Sequence, residues 1–256
     1  MIKGIYTAAS GMMLQMARQD VLANNIANVN TAGFKKDDTM CRAFPEMLIS
    51  RLGEVKTNPD GTRQSMPPVV IGGLGTGAVV DRVITDFSQG NTKKTDNPFD
   101  LALNGEGYFA IQTPQGERYT RDGCLKLNDE GILTTNQGYP VLDQNDSPIT
   151  IAGDFTVNSQ GDIVSDGQII TTLKIVDFAD PQVLQKEGAH MNSQGPYELA
   201  ANPQVAQGYM EDSNVNAVKE MVNLISVVRA YESLQKVVQA EDETVAAAID
   251  QVASVR

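Results

Sequence analysis

The sequence predicts an α+β protein: a mainly-β central domain flanked by long N- and C-terminal α-helices that pack together as a coiled-coil-like pair. Three observations carry this. The stretch from Ala217 to Arg256 holds neither Pro nor Gly and repeats apolar residues in sevens. The stretch from Ile2 to Asn28 repeats apolar residues in sevens too, in shorter form. Between them, short β-branched or alternating apolar runs are separated by turn signals about every ten residues.

The C-terminal helix has the clearer pattern. Leu224, Tyr231, Val238, Val245 and Val252 fall on one line, and Val227, Leu234, Ala248 and Val255 on the next, with Glu241 the polar interruption. That is an a/d seam of period 3.5, built to pack along another helix. At about 1.5 Å per residue the helix spans on the order of 58 Å. One small domain cannot cover so long a seam. The N-terminal helix is the candidate partner, with Ile2, Ala9, Met16 and Ala23 on one line and Ile5, Met12 and Ile26 on the other, interrupted by Gln19. The packing positions expected from both helices are Ile5, Met12, Ile26, Leu224, Val227, Tyr231, Leu234 and Val238.

The N-terminal helix ends in Asn28 to Gly33, residues that favour caps and turns. Asn24 and Asn25 lie inside the heptads, where their amides compete with the backbone. Asn24 and Asn28 share a face one turn apart, and Asn25 points elsewhere. Together with Asn30, Asn214 and Asn216 they are expected as polar register or capping positions near the helix–β junctions.

The middle of the chain divides by composition. Residues 1–35 form the N-terminal assembly helix, 36–78 a connector with an extended, turn-rich segment, 79–200 the β-domain, and 201–256 a C-terminal connector and helix. In the connector, Arg42 to Ile49 is apolar enough for a short buried segment, and Asn58 to Pro68 reads as a polar hairpin tip. Gly72-Gly73-Leu74-Gly75-Thr76-Gly77 has the glycines of a phosphate loop but runs into Ala78-Val79-Val80, without the Lys and Ser/Thr such a loop needs. It reads as a loop before a strand. In the β-domain, Phe99, Leu101 and Leu103 alternate with polar or small residues, and Ile169 to Val176 is rich in Val and Ile. Asp143-Gln144-Asn145-Asp146-Ser147 lacks the Gly and Glu of a calcium loop and reads as a turn. Gly105-Glu106-Gly107 reads as a bend.

Composition excludes several functions. With 20 Lys+Arg against 32 Asp+Glu the net charge is -12, and basic runs do not exceed two residues, so nucleic acid is not an expected partner. Membrane insertion is not expected, since no apolar run approaches about 18 residues, and no apolar core of a secretory signal follows Lys3. Cys41 and Cys124 are far apart, in no metal spacing, and read as two free thiols. The single His190 falls in a polar loop with no nucleophile elbow in view. Neither an enzyme, a metal nor a cofactor is expected.

Both ends carry runs of a known kind. Ala23-Asn24-Asn25-Ile26-Ala27-Asn28, continuing Val29-Asn30-Thr31-Ala32-Gly33-Phe34-Lys35, resembles the N-terminal signature of the bacterial flagellar rod and hook axial proteins. Ile5-Tyr6-Thr7-Ala8-Ala9-Ser10-Gly11-Met12 is similar to the same family's start. Gly208-Tyr209-Met210-Glu211-Asp212-Ser213-Asn214-Val215-Asn216, then Glu220-Met221-Val222 and Arg229-Ala230-Tyr231-Glu232, resemble its C-terminal signature. Asp100 to Phe109 and Tyr119-Thr120-Arg121-Asp122-Gly123 are similar to the rod proteins' central domain.

The resemblance implies a structural subunit of the flagellar basal-body rod, self-assembling through its terminal helices into a helical tube that transmits torque and serves as an export channel. The implied partners are further copies of the chain, neighbouring rod and hook proteins, and the flagellar type III export apparatus, which needs no cleaved signal. The implied location is the wall-spanning rod in the periplasm. Length and the Gly208 to Asn216 run resemble those of a distal rod subunit or its close proximal-rod relative, of which the distal is favoured, with a proximal rod or hook-type subunit as the alternative. No extra segment is long enough for a wall-trimming domain. From another class, a discrete coiled-coil adaptor accounts for the seams but not for the paired signatures. A surface adhesin would show an aromatic or charged patch, which the β-domain lacks.

Overall fold

The computed structural model describes residues 2–51, 55–57, 63–65, 67–188, 190–193 and 195–253. Helix α1 covers Ile2–Ala27 and α2 covers Ala217–Ala253, with strands between them. Val255 of the expected seam, the side chain of Val252, and most of the turn-rich stretch from Asn58 to Pro68 lie outside the described residues. Asn216 starts α2 as an N-cap, its Oδ1 accepting the Lys219 N–H at 3.0 Å. The described chain forms two compact units.

One unit comprises Met1–Leu22, Thr39–Val83 and Val222–Arg256. On its part of α2, Leu224, Val227, Tyr231, Leu234, Val238, Glu241, Val245 and Ala248 are buried or half-buried, while the flanking positions are mostly exposed. These positions are the ones that the heptad pattern of α2 singles out. On α1 the expected Ile5, Ala9, Met12 and Ile26 are half-buried, but the covered face is broader than the expected lines. Met16 and Ala23 are exposed, whereas Gly4, Ala8, Gly11 and Gln15 are covered. A Cβ on Gly4 would stand 2.7 Å from Glu241 Oε1, and one on Gly11 would stand 3.0 Å from Leu234 Cδ1. The expectation counted large apolar side chains, but close approach of a backbone selects small ones.

The same unit corrects a second expectation. Arg42 to Ile49 is not a buried segment: all eight residues are exposed, Leu48 to 74%. Met47–Arg51 pairs antiparallel with Val69–Leu74, and the two strands form a sheet of their own. A two-stranded sheet without a layer over it leaves its apolar side chains in solvent. Asp37–Ala43 and Ala78–Thr85 form another such pair.

The second unit comprises Ala23–Asp38 and Ile84–Met221. Its main sheet has six strands in the order Leu184–Glu187, His190–Ser193, Gly116–Thr120, Tyr108–Thr113, Ile175–Asp177, Glu198–Leu199. Alternation along the inner strand sends Phe109 and Ile111 to one face and Tyr108 and Ala110 to the other. Phe109 and Ile111 join Leu101, Leu125, Leu133, Val141, Ile149, Ile163 and Leu173 in one core. Tyr108 and Ala110 join Tyr119, Leu142, Val176, Phe178 and Met191 in a second, where the Tyr119 and Phe178 rings meet edge to face at 5.1 Å. The central strand Tyr108–Thr113 is therefore packed on both of its faces, while the edge strand Glu198–Leu199 is exposed.

Strands extend beyond the expected β-domain of residues 79–200 at both ends. Val205–Gln207 pairs with Leu101–Leu103, and Tyr209–Glu211 with Thr92–Lys94. Such distant pairings are tertiary and leave no local pattern. The run from Ile169 to Val176 is split between Gln168–Thr172, with Ile169 and Ile170 exposed, and Ile175–Asp177. His190 sits in a strand rather than a polar loop. Asp143 to Ser147 is a turn in which Asp143 Oδ1 accepts the N–H groups of Asn145 and Ser147, each at 2.8 Å. Truncating the fully buried ring in Phe109→Ala is expected to destabilise this unit by about 3–5 kcal/mol, read as a lowered urea midpoint at unchanged slope.

Candidate functional site

The three motif-bearing segments meet in the second unit around one carboxylate. Glu211 is buried in a short strand and shares its two oxygens between two buried cations. Lys35 Nζ lies 2.7 Å from Oε1, and Arg121 Nε lies 2.6 Å from Oε2. The Gly90 N–H also donates to Oε1 at 2.9 Å. Arg121 uses its remaining N–H groups on a bend. Nη2 donates to Leu103 O at 2.8 Å and Gly105 O at 2.5 Å, and Nη1 donates to Gly107 O. Lys35 Nζ also donates to Ser88 O at 2.8 Å.

The backbone after α1 is shaped to reach this point. Asn28 closes the helix, its Nδ2 donating to Asn24 O at 2.9 Å and its Oδ1 accepting the Thr31 hydroxyl at 3.2 Å. Gly33 then turns with φ of 66°, and a side chain there would collide with the Arg121–Asp122 backbone. Its N–H donates to Glu211 O at 2.8 Å. Asn25, buried, bonds the Asp37 backbone in both directions, donating to its carbonyl at 2.8 Å and accepting its N–H at 2.9 Å. Asn214 does the same service from the other terminus. Its Oδ1 accepts the Lys36 N–H at 2.7 Å and its Nδ2 donates to Asp86 O at 2.8 Å. Lys186 closes the set, 2.9 Å from Asp37 Oδ1 and 4.2 Å from the centre of the Phe34 ring.

Of the residues singled out from sequence, Asn24, Asn25, Ile26, Asn28, Asn30, Asn214 and Asn216 belong to this unit. Among them Asn25, Asn28, Asn214 and Asn216 bind backbone, and Asn24 and Asn30 are exposed. Ile5, Met12, Leu224, Val227, Tyr231, Leu234 and Val238 belong to the other unit. The ionic triad was missed as a triad. Its signal was present, since each motif contributes one charge (Lys35, Arg121, Glu211), but only folding brings them together.

The arrangement is suited to holding rather than reacting. Burial pushes the Glu211 carboxyl up, but Arg121 and Lys35, with the Gly90 N–H, outweigh it and hold it below its ordinary value. The nearby Cys124 thiol is pushed up to about 12 by burial and by the carboxylates of Asp122 and Asp100, which removes it as a nucleophile. Among the described residues no cluster of His, Cys, Asp and Glu has the geometry of a metal site.

Comparison with known proteins matches the same segments. Residues 5–35 match the family described as flagella basal body rod protein. Residues 102–169 match the flagellar hook protein FlgE/F/G D1 domain, and residues 206–251 the flagellar basal body rod FlgEFG protein C-terminal. Over its full length and theirs, the chain is 34% identical to the flagellar hook-basal body complex protein FlhO of Bacillus subtilis and 36% identical to the flagellar basal-body rod protein FlgF of Caulobacter vibrioides. It is 32% identical to the flagellar basal-body rod protein FlgG of Buchnera aphidicola subsp. Schizaphis graminum, over 95% of this chain and 97% of that protein.

The depressed carboxyl sets a sign for acid stability. Its contribution is present above the unfolded value near 4.5 and is lost as pH falls through the folded value. Glu211→Gln is expected to flatten that acid limb in urea melts taken across pH. Because it leaves Lys35 and Arg121 buried without their counter-charge, it is also expected to cost about 3–5 kcal/mol at neutral pH.

Proposed function

This chain belongs to the flagellar basal-body rod and hook family, and from that premise we propose how its two ends build a rod. It is a structural subunit of the basal-body rod and not an enzyme. The likeness extends to FlgF and FlgG alike, so the reading is of a rod subunit rather than of a distal one in particular.

In this reading α1 and α2 form an antiparallel, coiled-coil-like pair. Gly4 faces Glu241 and Gly11 faces Leu234, so a step of seven forward on one helix matches a step of seven back on the other. The packing positions Leu224, Val227, Tyr231, Leu234 and Val238, with Ile5 and Met12, hold that pair. Asn25, Asn28, Asn214 and Asn216 fix where the helices leave the β-unit, with Ile26 beside them. The domain division at 35, 78 and 200 follows from the same pattern of helix, connector and strands.

The observation that carries assembly is what the helices leave uncovered. Tyr6 and Met13 on α1, and Val222, Ile225 and Ile249 on α2, are exposed, Met13 to 72%. Tyr6 and Met13, a step of seven apart, share one face of α1, and exposed apolar faces are where copies can meet, burial being worth roughly 25 cal/mol per Å². Copies joined head to tail without closure make a helical tube, which would transmit torque and leave a channel. Helices that gain their stability from packing suit passage through the type III export apparatus before assembly with neighbouring rod and hook proteins. A discrete coiled-coil adaptor would instead close as a small oligomer.

A fragment of residues 36–210 would lose Lys35 and Glu211 and strand Arg121 in the core, so the test uses the full chain. Wild-type protein is expected to form concentration-dependent polymers in sedimentation and tubes in electron microscopy. Ile225→Asp and Val238→Asp are expected to stop this while the thermal transition of the β-unit stays within a few degrees of wild type. Normal tubes from both variants would exclude the helix surfaces from assembly, and a discrete oligomer from the wild type would favour the adaptor.

A further inference from the structure

The bend held by Arg121 contains the one-residue step Asn104-Gly105, and that step is chemically unusual. In an Asn-Gly pair no side chain shields the glycine nitrogen. Once that nitrogen loses its proton to hydroxide, it can attack the Asn side-chain carbonyl carbon. The Cγ–Nδ2 bond then breaks, ammonia leaves, and a five-membered succinimide forms. Water opens the ring at either carbonyl to give aspartate or isoaspartate. The isoaspartate product carries the backbone through the side chain, lengthening it by one methylene.

Asn104 and Gly105 are both exposed to solvent, so access does not prevent this reaction. The backbone around them, however, is held on three sides. Gln89 brackets the step with one amide: its Nε2 donates to Leu103 O at 3.0 Å, and its Oε1 accepts the Gly105 N–H at 3.1 Å. The Asn104 N–H donates to Gln204 O at 2.8 Å, and the Gly105 carbonyl accepts from Arg121 Nη2. The proton that must leave for the attack is therefore the one engaged by Gln89.

We propose that Asn104 is a deamidation site and that the Gln89 side chain is the guard that holds it unreacted in the folded subunit. The guard works in two ways. It keeps the Gly105 proton on nitrogen, and it ties that nitrogen to the side chain of residue 89, so that an attack on Asn104 must first break this bond. Reaction then requires local opening of the bracket, and its rate scales with the population of the open form. The consequence of failure is structural. A carboxylate and an extra methylene would enter the bend whose Gly105 and Gly107 carbonyls hold Arg121, and would displace the partner that neutralises Glu211. In a subunit built into a long-lived assembly such damage accumulates, a consequence that rests on the rod reading. The guard itself does not rest on it.

The experiment ages full-length wild type, Gln89→Ala and Gln89→Glu at mildly alkaline pH and 37 °C (an incubation temperature of about human body heat). Deamidation at Asn104 is followed by peptide mass, and isoaspartate by enzymatic methylation. Wild type held unfolded in concentrated urea gives the unguarded rate. Folded wild type is expected to react at least about tenfold more slowly than the unfolded chain. Gln89→Ala is expected to recover most of that difference with its melting transition intact. Gln89→Glu, which keeps the acceptor for the Gly105 N–H, is expected to stay close to wild type. Equal rates in folded and unfolded wild type would overturn the guard, as would a Gln89→Ala protein that ages no faster than wild type.

Discussion

One carboxylate shared between two cations is the constraint on which the β-unit depends. Glu211 comes from the segment leading into α2, Lys35 from the segment leaving α1, and Arg121 from the residue that follows the strand Gly116–Thr120. Removed from water singly, each of these charges would be strongly unfavourable. Together, with the Gly90 N–H and the carbonyls of residues 88, 103, 105 and 107 taking up the remaining hydrogen-bonding groups, they are satisfied. The two termini are bonded to the same point of the β-unit.

Around this centre the amides act as backbone substitutes. Asn25 bonds Asp37 as a neighbouring strand would, and Asn214 bonds Lys36 and Asp86 together. Such local amide bonds are unfavourable within a regular helix but valuable where a helix must stop and turn. They explain why a run so rich in Asn stands at the end of an apolar heptad pattern. Gly33 completes the geometry because its backbone passes too close to Arg121 for any side chain.

The helices show a different economy. Along α2 the covered line is mainly Leu, Val and Tyr, whereas along α1 the small residues Gly4, Ala8 and Gly11 are covered beside the half-buried Ile5 and Met12. Large residues on one side meeting small ones on the other let the backbones come close. This leaves larger apolar side chains, Tyr6 and Met13 on α1 and Ile225 on α2, turned outward. The strand pair Met47–Arg51 with Val69–Leu74 is likewise apolar and uncovered. A monomer that solved its own burial completely would have no reason to leave these surfaces free.

Much of this was legible in advance. The position of both helices and the β-rich middle follow from periodicity, and the length of α2 also from its lack of Pro and Gly, signals that act within a few residues of chain. The N-cap at Asn216 and the termination at Asn28 are equally local. What only the tertiary structure decided is set by residues far apart in sequence. It decided that α1 packs through Gly4, Ala8 and Gly11 rather than through Met16 and Ala23, because the choice depends on the neighbour. It placed Arg42 to Ile49 in solvent, because burial requires a covering layer that no local pattern specifies. And it joined Lys35, Arg121 and Glu211, because the pairing of buried charges is a property of three-dimensional distance alone.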